Sequence, residues 1–596
     1  MARAETRPSA KSKAERATCK DPPAGDAARE FRNVDRLIHA AFANAGFGIS
    51  PVSLMQAWQD WALHLAMSPG KQLEIQAKAF EKWNRQVRFA CSCLANRGVG
   101  APCISPLPQD RRFADDAWRQ PPFNLWQQSF LLWQQWWHNA TVGVPGVSAR
   151  HERLVEFYSR QFLDMFSPSN FPATNPEILA RTLQTNGANF VAGLQNLIDD
   201  LARLQAGDPP AGAEKFKPGV NVAVTPGDVV LRNDMMELIR YRPTTATVRT
   251  EPILIVPAWI MKYYILDLSP ENSLIRYLVD QGFEVFCISW RNPRSEHRDW
   301  SLDDYRTQGV MAALDRVAGK SSGRKVHAVG YCLGGTLLAI AACAMARDGD
   351  DRLQSVTLLA SLLGFDEPGE IGLFIDDGQI SVLESLMWAE GYLDQRRMAG
   401  AFQMLRSQDL IWSRMVRDYL LGERRPVTDL MAWNADATRM PYRMHSEYLR
   451  RLYLDDDLAH GRYRVDGRTI HLEDIRVPVF AVATIADHVA PWRSVFKAIH
   501  MLDTDIDFAL VNRGHNAGIV SEPGHAGRWF RQLRHRHGNS HPDPDAWLDA
   551  TPEQAGSWWP AWCDWLNSRS TGEIAVDQLP KPASLAPAPG DYVLEA

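Results

Sequence analysis

The fold of this chain is decided by one stretch near its middle, Lys325-Val326-His327-Ala328-Val329-Gly330-Tyr331-Cys332-Leu333-Gly334-Gly335. The apolar residues that open it predict a short buried strand. The residues that close it have the spacing G-x-C-x-G, which is typical of a nucleophile elbow, a sharp turn that presents a reactive side chain between a strand and a helix. The flanking glycines let neighbouring backbone approach this turn closely. The stretch therefore predicts that Cys332 is a nucleophile, in the position where most such elbows carry serine.

Apolar runs on both sides of the elbow predict a sheet. The run directly after it, 336–342, suits a helix buried against that sheet. Other short apolar runs predict strands, and they lie at 229–231, 236–241, 253–257, 284–290, 355–360, 477–482 and 507–511. We expect the first two to form an antiparallel pair. The remaining strands alternate with helical stretches, which predicts a mostly parallel α/β sheet covered on both faces.

Two residues downstream of the elbow complete a catalytic pattern. A thiol nucleophile needs a base within hydrogen-bond reach, and the base needs a third group that orients it. In the α/β-hydrolase fold the nucleophile, the acid and the histidine follow one another in this order along the chain. Asp487 closely follows the predicted strand that ends near Thr484, and His515 closely follows the last predicted strand. The sequence therefore predicts an α/β-hydrolase fold in which His515 is the general base for Cys332 and Asp487 orients His515.

Two nearby residues are alternatives for these roles. His488 could be the base, but a residue adjacent in sequence to Asp487 projects in a different direction from it. Asp366 could be the acid, because it follows the strand before a long insertion and some hydrolases place the acid there. The order and placement of Asp487 and His515 favour these two residues over both alternatives.

The oxyanion of an acyl-transfer reaction needs preorganised N–H donors. The geometry of the elbow assigns one of them to the backbone of Leu333. Analogy with the fold assigns the other to the backbone of Ala258, which lies in the turn Pro257-Ala258-Trp259-Ile260 after an earlier strand. We expect both N–H groups to face the carbonyl that the nucleophile attacks.

The N-terminal part of the chain has a different character. A chain of 596 residues is too long for one ordinary core, so we expect more than one domain. Residues 1–30 are charged, rich in Ala and Pro and without periodicity, which predicts a disordered segment. Residues 31–220 carry apolar side chains at helical spacing and predict a helical N-terminal domain. Within it, Asn175-Pro176-Glu177 has the pattern of a helix start, with asparagine as the cap and proline in the first turn.

The remaining segments belong to the predicted catalytic domain and a tail. Residues 221–572 contain all the predicted strands and form the α/β-hydrolase domain. A segment with mixed helical character and many aromatic residues, about 364–473, interrupts the strands. An insertion of this size between strands of one sheet predicts a cap over the active-site edge. Residues 573–596 are rich in Pro and Ala and predict an extended C-terminal tail.

Composition argues against several other classes of protein. The net charge of −5 argues against nucleic acid held by bulk electrostatics. No run approaches the ~18 apolar residues of a transmembrane helix, and the first residues lack the apolar core of a secretory signal. Eight scattered cysteines are too few for a disulfide framework, so we expect a reduced, cytoplasmic setting.

Two groups of N-terminal residues have a plain structural interpretation. Cys91, Cys93 and Cys103 lie close together, but no histidine stands at ligand spacing, so we expect unpaired structural cysteines and no metal site. Four tryptophans are interpreted as core residues, with an apolar surface or partner face as the alternative: Trp126, Trp133, Trp136 and Trp137. We expect no metal and no bound organic cofactor.

Longer stretches show a family resemblance. The chain resembles the polyhydroxyalkanoate synthases, which make bacterial storage polyesters, and it is most similar to their class I type. The resemblance runs from about residue 50 to the end. Besides the elbow it is carried by six stretches: PSNFPATNPE at 168–177, KYYILDL at 262–268, SWRNP at 289–293, DLIW at 409–412, WNADAT at 433–438 and GSWWP at 556–560.

The resemblance implies an N-terminal helical domain for dimerisation and granule contact, followed by a capped α/β-hydrolase domain. Carried over residue by residue, it implies that Cys332 is the acylated nucleophile, His515 its base and Asp487 the third member, which also helps to activate the hydroxyl of the acyl unit. The substrate would be an (R)-3-hydroxyacyl-CoA, and the products a polyester chain and free coenzyme A. The implied partners are the growing polyester, the granule surface with its proteins, and a second copy of the chain in a homodimer.

Four residues near the predicted site depart from the pattern of the family: Met261 stands where asparagine is expected, Ala258 where proline is common, Asn516 where an apolar residue is usual and Ala486 where an acid is common. We expect these changes to affect chain-length preference or rate. Two other functions remain open, a thioesterase or depolymerase-like hydrolase on the same fold and a weakly active structural protein of the granule. Polymer formation separates a synthase from both.

Overall fold

The computed structural model of the protein describes residues 26–45, 49–95, 100–319, 323–395, 397, 400, 403–404, 406–580 and 583–595. Residues 1–25 of the predicted disordered segment 1–30 therefore lie outside the described residues. From Asp26 the chain is helical, five residues before the predicted boundary. The physical reason is that the sequence there is rich in Ala, Arg and Glu, which are good helix formers.

Helices make up the N-terminal part of the chain: α1 (Asp26–Ala45), α2 (Pro51–Ala66), α3 (Pro69–Ala95), α4 (Phe123–Thr141), α5 (Ala149–Met165), α6 (Pro176–Gln184) and α7 (Ala188–Ala206). Helix α4 packs against α3 and α5, and α2 packs against α5. The start of α6 confirms the prediction from sequence. Oδ1 of Asn175 accepts hydrogen bonds from the N–H groups of Glu177 (2.9 Å) and Ile178 (3.3 Å), and proline occupies the first helical position.

The apolar side chains of these helices are only partly covered. Trp126 is 38% exposed and Trp133 is 50% exposed, so the interpretation as core residues is wrong for both. Trp136 and Trp137 are half-buried. The reason is that α4 carries apolar residues on more of its circumference than its neighbours cover. Helix α7 likewise leaves a row of apolar side chains exposed, namely Phe190, Val191, Leu194, Ile198 and Leu201.

The remainder of the chain contains the strands: β1 (Gly227–Arg232), β2 (Met236–Tyr241), β3 (Thr247–Arg249), β4 (Ile253–Val256), β5 (Val285–Trp290), β6 (Val326–Tyr331), β7 (Leu353–Leu359), β8 (Tyr392–Leu393), β9 (Met440–Pro441), β10 (Arg464–Val465), β11 (Arg468–Thr469), β12 (Val479–Thr484), β13 (Ile506–Val511), β14 (Trp529–His535), β15 (Gln554–Ala555), β16 (Glu573–Ala575) and β17 (Ala586–Pro587).

An 11-stranded sheet joins most of them in the order β15-β14-β13-β12-β7-β6-β4-β5-β2-β1-β17. Strands β5, β4, β6, β7, β12 and β13 run parallel to one another. Strands β1 and β2 form the predicted antiparallel pair, and β14 closes the other side of the parallel block in the antiparallel direction. The carboxyl ends of the parallel strands meet at one edge, which brings together the loops that follow β4, β6, β12 and β13.

Helices cover both faces of this sheet or belong to the insertion: α8 (Leu274–Asp280), α9 (Leu302–Asp304), α10 (Ala312–Ala318), α11 (Leu333–Asp348), α12 (Asp377–Glu390), α13 (Ser413–Met415), α14 (Asp429–Asn434), α15 (Tyr442–Tyr448), α16 (Trp492–Phe496), α17 (Ala498–Met501), α18 (His515–Ile519), α19 (Pro544–Ala550) and α20 (Trp559–Asn567). Each face carries its own apolar layer. Helix α11 is buried from Leu333 to Met345, which explains its apolar composition.

The insertion between β7 and β12 carries α12 to α15 and contacts several of the N-terminal helices, with α1 packed against α12. From α5, the Arg150 guanidinium donates to backbone carbonyls within 372–375 and, at 2.7 Å, to the Asp376 carboxylate. At α7, a Cβ on Gly193 would lie 1.9 Å from the Tyr419 carbonyl oxygen, so only glycine permits this approach. The insertion is thus fastened to the helical part of the chain.

The tail predicted to be extended is packed against the catalytic domain over its described residues. Strand β16 pairs with β3, and β17 pairs with β1 as an edge strand of the large sheet. After β17, the fully buried carboxylate of Glu237 accepts hydrogen bonds from the N–H groups of Asp591 (2.9 Å) and Tyr592 (3.0 Å). The chain therefore returns to the sheet near its end.

Candidate active site

Cys332 stands on a strained turn between β6 and α11. Its backbone has φ +52° and ψ −122°, a region that non-glycine residues rarely adopt. A Cβ on Gly330 would lie 2.3 Å from the Cα of Gly335, so the turn can close only because these positions have no side chains. The N–H of Cys332 donates to the carbonyl oxygen of Leu359 in β7 at 2.8 Å. The geometry is that of a nucleophile elbow.

His515 and Asp487 meet beside this turn. Asp487 lies just after β12, and His515 is the first residue of α18, just after β13. Nδ1 of His515 lies 2.7 Å from Oδ2 of Asp487. Cys332 lies near enough to the imidazole of His515 to help raise the pKa of His515. The structure thus brings the three predicted triad residues together, with a hydrogen bond between His515 and Asp487.

Both oxygens of the Asp487 carboxylate accept hydrogen bonds. Its side chain is 0% exposed. Oδ1 accepts from the N–H groups of Val489 (2.9 Å) and Ala490 (2.8 Å), while Oδ2 accepts from Oγ1 of Thr484 (2.9 Å) and from His515. A carboxylate has about four lone-pair sites, and here each of them has a donor. The carboxylate is therefore held in one orientation.

Electrostatics favours a charged pair at this place. Burial alone would raise the pKa of Asp487, but His515 and the two backbone donors outweigh it and hold that pKa below its ordinary value. Burial alone would lower the pKa of His515, but Asp487 and Cys332 raise it well above 6.5. An imidazolium at His515 is therefore stabilised.

The two alternative residues lie elsewhere. The buried Nδ1 of His488 has no hydrogen-bond partner among the described residues. Asp366 is exposed, and both of its oxygens accept from Nζ of Lys497 at 2.9 Å. Within the described residues, neither side chain hydrogen-bonds to His515 or Asp487.

Two backbone segments meet next to Cys332. Leu333 is the first residue of α11, so its N–H has no acceptor within the helix. The turn after β4 packs directly on this helix start, because a Cβ on Gly334 would lie 2.1 Å from the carbonyl oxygen of Val256 and 2.6 Å from the carbonyl carbon of Pro257. That carbon carries the amide nitrogen of Ala258. The N–H groups of Leu333 and Ala258 remain the predicted oxyanion donors.

Aromatic side chains surround the thiol. The rings of Trp259 and Tyr448 lie 6.2 Å apart, and those of Phe365 and Tyr453 lie 4.8 Å apart. The hydroxyls of Tyr448 and Tyr453 lie 3.2 Å apart. Burial, together with the nearby Cys332, raises the pKa of both phenols. Since three of these four rings come from the insertion, the insertion supplies most of these aromatic side chains near Cys332.

A further polar link at the site is not predicted from the sequence. Oη of Tyr331 donates to Oδ1 of Asn516 at 2.5 Å, and Nδ2 of Asn516 donates to Oδ1 of Asn434 at 3.4 Å. The ring of Tyr331 lies 5.8 Å from that of His515. The available sequence signal is that Tyr331 and Asn516 are each adjacent to a predicted triad residue.

No group of three or more His, Cys, Asp or Glu side chains in the described parts of the chain is placed to hold a metal ion. Cys91 is exposed, Cys93 is buried and Cys103 is half-buried, and all three are free thiols. Within the ranges that the structure describes, no helix is both long and apolar enough to cross a bilayer.

Comparison with known families agrees with the geometry. A family model described as "Poly-beta-hydroxybutyrate polymerase (PhaC) N-terminus" matches residues 109–278, and one described as "Poly-beta-hydroxybutyrate polymerase N terminal" matches residues 29–71. A model described as "alpha/beta hydrolase fold" matches residues 251–519. Together with the sheet, this last match confirms the predicted α/β-hydrolase fold.

Several curated proteins are similar over most of the chain. The "Poly(3-hydroxyalkanoate) polymerase" of Methylorubrum extorquens is 41% identical over 537 residues, which cover 88% of this chain and 87% of that protein. The "Poly(3-hydroxyalkanoate) polymerase subunit PhaC" of Rhizobium meliloti (strain 1021) is 37% identical, with coverages of 88% and 86%. The protein of the same name from Cupriavidus necator is 34% identical, with coverages of 83% and 84%.

Proposed function

Because the chain belongs to the family of poly(3-hydroxyalkanoate) polymerases, we propose that it polymerises (R)-3-hydroxyacyl-CoA into polyester with release of coenzyme A, and that Cys332 carries the acyl chain. The protein is an acyltransferase. The observation that carries the proposed mechanism is the hydrogen bond between His515 and Asp487 beside the strained turn at Cys332. The reaction uses no resident metal or organic cofactor in this proposal.

In the first step the proton of the Cys332 thiol moves to His515, and the thiolate attacks the carbonyl carbon of the coenzyme A thioester. The oxyanion that forms is stabilised by the N–H groups of Leu333 and Ala258. The bond to the sulfur of coenzyme A then breaks, and His515 returns the proton to that sulfur. The acyl group is now a thioester of Cys332, so its group energy is retained.

In the second step the hydroxyl of another acyl unit attacks the stored thioester. His515 takes the hydroxyl proton and passes it to the sulfur of Cys332 as the new ester forms. The resemblance implies a part for Asp487 in activating this hydroxyl. The four hydrogen bonds already made to the Asp487 carboxylate favour His515 as the base in both steps and Asp487 as its orienting partner.

Cysteine suits this reaction better than serine. An ester of serine would be nearly isoenergetic with the polymer linkage and would leave little driving force for elongation. The aromatic rings around Cys332, including Trp259 and Tyr448, support the proposal because they keep water away from the stored thioester. Water at this place would end the chain.

The deciding experiment measures coenzyme A release from (R)-3-hydroxybutyryl-CoA together with light scattering by polymer. Release with polymer, lost in Cys332→Ala, is the expected result. Release without polymer would instead identify a thioesterase or depolymerase-like hydrolase. If no coenzyme A is released from 3-hydroxyacyl-CoA of any chain length, the result would favour the alternative function of a structural protein of the granule.

The proposal includes a place of action, the surface of polyester granules in the cytoplasm, and a homodimer as the working form. The exposed apolar row on α7, which includes Leu194 and Ile198, supports contact with an apolar surface or a second copy of the chain. Co-sedimentation of Leu194→Glu with polyester particles tests the first contact, and sedimentation velocity of the same variant tests the second. No nucleic acid takes part.

A further inference from the structure

Lys262 is a buried lysine at the turn beside the candidate active site. It is 4% exposed and lies six residues after the end of β4. Its Nζ donates to the carbonyl oxygens of Val593 (2.7 Å) and Glu595 (2.5 Å) and lies 3.9 Å from Oδ1 of Asp436. A buried ammonium is costly unless its hydrogens have acceptors. Here the acceptors come from two parts of the chain that are far from Lys262 in sequence.

The end of the turn Pro257–Ile260 and the backbone of Lys262 after it are also tied to the insertion. The carbonyl oxygen of Lys262 accepts from Nε1 of Trp433 at 2.8 Å, and that of Ile260 accepts from the N–H of Thr438 at 3.1 Å. Oγ1 of Thr438 donates to the carbonyl oxygen of Trp259 at 2.5 Å. Three successive contacts thus fasten the turn to the segment 433–438.

The segment Asp591–Glu595 is a firm anchor for Lys262 because it is bound independently. Its first N–H groups are held by the buried Glu237 carboxylate. The guanidinium of Arg291 lies 4.8 Å from the ring centre of Tyr592 and 3.3 Å from the Glu595 carboxylate. Lys262 therefore connects the turn to a segment that would remain in place without it.

The same turn carries the predicted oxyanion donor Ala258. On one side it is pressed against the start of α11, where a Cβ on Gly334 would collide with Val256 and Pro257. On the other side it is held by Lys262. A donor must lie within a fraction of an ångström of its place to stabilise an oxyanion, and a misplacement of about 1 Å can cost about 10²-fold in rate.

We propose that Lys262 is a positioning residue, whose buried ammonium joins the segment Val593–Glu595, the insertion at Asp436 and the turn Pro257–Ile260 so that the N–H of Ala258 faces the carbonyl attacked by Cys332. The inference rests on the proposed function for its natural substrate, but the positioning can be tested without that substrate. Lys262 touches no substrate in this arrangement and acts through the backbone.

The test compares Lys262→Met with the wild type and with Lys82→Met, which removes the ammonium of another buried lysine in α3. The acyl donor is p-nitrophenyl acetate, so the rate of p-nitrophenolate release reports acylation of Cys332. We expect Lys262→Met to lower this rate about 10- to 100-fold. Lys82→Met is expected to stay within twofold of the wild type.

Alkylation of Cys332 by iodoacetamide separates positioning from general damage. Alkylation forms no oxyanion, so we expect its rate in Lys262→Met to stay within twofold of the wild type. Amide hydrogen exchange in 257–264 and 591–595 should rise in the same variant. Lys262→Arg, which keeps a charged donor, should recover part of the acylation rate. If Lys262→Met does not fold, Asp436→Asn is used in its place. We then expect a smaller loss in the rate of acylation and no change in the rate of alkylation.

Three results would overturn the inference: acylation by Lys262→Met at the wild-type rate, a parallel loss of acylation and alkylation, or unchanged hydrogen exchange in the turn. A wild-type protein that p-nitrophenyl acetate does not acylate would overturn it as well. Failure of the proposed function gives a different result, since the wild type would then be acylated by p-nitrophenyl acetate but would form no polymer from (R)-3-hydroxybutyryl-CoA.

Discussion

The carboxylate of Asp487 lies 2.7 Å from Nδ1 of His515, and its other lone pairs are taken by donors of its own loop and of β12. This bond fixes the orientation of the imidazole and keeps a proton on Nδ1 of His515. The bond can form because β12 and β13 are neighbouring strands, and the segments that follow them carry Asp487 and His515.

Replacing the carboxylate should therefore cost more than one hydrogen bond. Asp487→Asn keeps the shape of the side chain but can present an N–H to Nδ1, which favours the wrong tautomer. We expect kcat for coenzyme A release to fall by about 10³- to 10⁴-fold, with KM changed little. The measurement is steady-state release from (R)-3-hydroxybutyryl-CoA, with circular dichroism as the control for folding. A loss of less than about tenfold would contradict the role of Asp487.

The charged pair should also make stability depend on pH in a defined direction. The pKa of His515 is raised above its ordinary value of 6.5, so its contribution is complete below pH 6.5 and is lost as the pH rises through the raised pKa. The pKa of Asp487 is depressed below 3.8, so its contribution is complete above pH 3.8 and is lost as the pH falls through the lowered pKa. The pair of Asp487 and His515 therefore stabilises the folded protein most between pH 3.8 and pH 6.5.

Thermal unfolding of the wild type and His515→Gln checks this dependence. We expect the difference in apparent Tm to be largest near pH 5.5 and to shrink as the pH is raised toward 9, because the wild type loses its imidazolium as the pH rises through the raised pKa of His515. The variant lacks a titrating group at this position and serves as the reference at each pH. A difference that is constant across this range, or that grows toward pH 9, would be inconsistent with the raised pKa.

The close contact at Gly334 predicts a sharp steric effect. In Gly334→Ala the new methyl group would lie 2.1 Å from the Val256 carbonyl oxygen, so the turn after β4 must move away from Cys332. We expect about a 10²-fold loss in kcat and a loss of about 1–3 kcal/mol in stability. Gly70→Ala is the matched control, because nothing lies within 4 Å of the methyl group it would add. Equal activity of the two variants would disprove the steric argument.

The hydrogen bond between Tyr331 and Asn516 predicts a milder effect. Tyr331→Phe removes the donor while it keeps the ring beside His515. We expect kcat to fall about fivefold, the equivalent of about 1 kcal/mol. Asn516→Leu should lower kcat by a similar factor, and the double variant should lose little more than either single one. Independent losses that multiply would show that the two side chains do not act through one bond.

Local patterns in the sequence predict much of the fold and the site. The glycines around Cys332 and the apolar run after it specify a strand, a turn and a helix, and Asn175 with Pro176 specifies a helix start. Asp487 and His515 can be predicted because each follows an apolar strand closely. In all these cases the determining residues are neighbours in the chain.

Other features depend on contacts between distant residues, and sequence patterns do not contain them. Lys262 and Val593 are 331 positions apart, and no local motif indicates that one will bind the carbonyl of the other. The exposure of Trp126 and Trp133 depends on which faces of α4 its neighbours cover, whereas helical spacing indicates only that apolar residues are present. Tertiary packing decides such features.

The hydrogen bonds from Arg150 to the insertion restrict how the insertion can move. Its guanidinium spans the carbonyls of Gly372, Leu373 and Ile375 and the carboxylate of Asp376, so the insertion cannot lift from the sheet by itself without breaking these bonds. A passage wide enough for a growing polymer must either open within the insertion or carry α5 along with it. Helix α5 and the insertion near Cys332 are therefore mechanically coupled, and a movement of one requires a movement of the other.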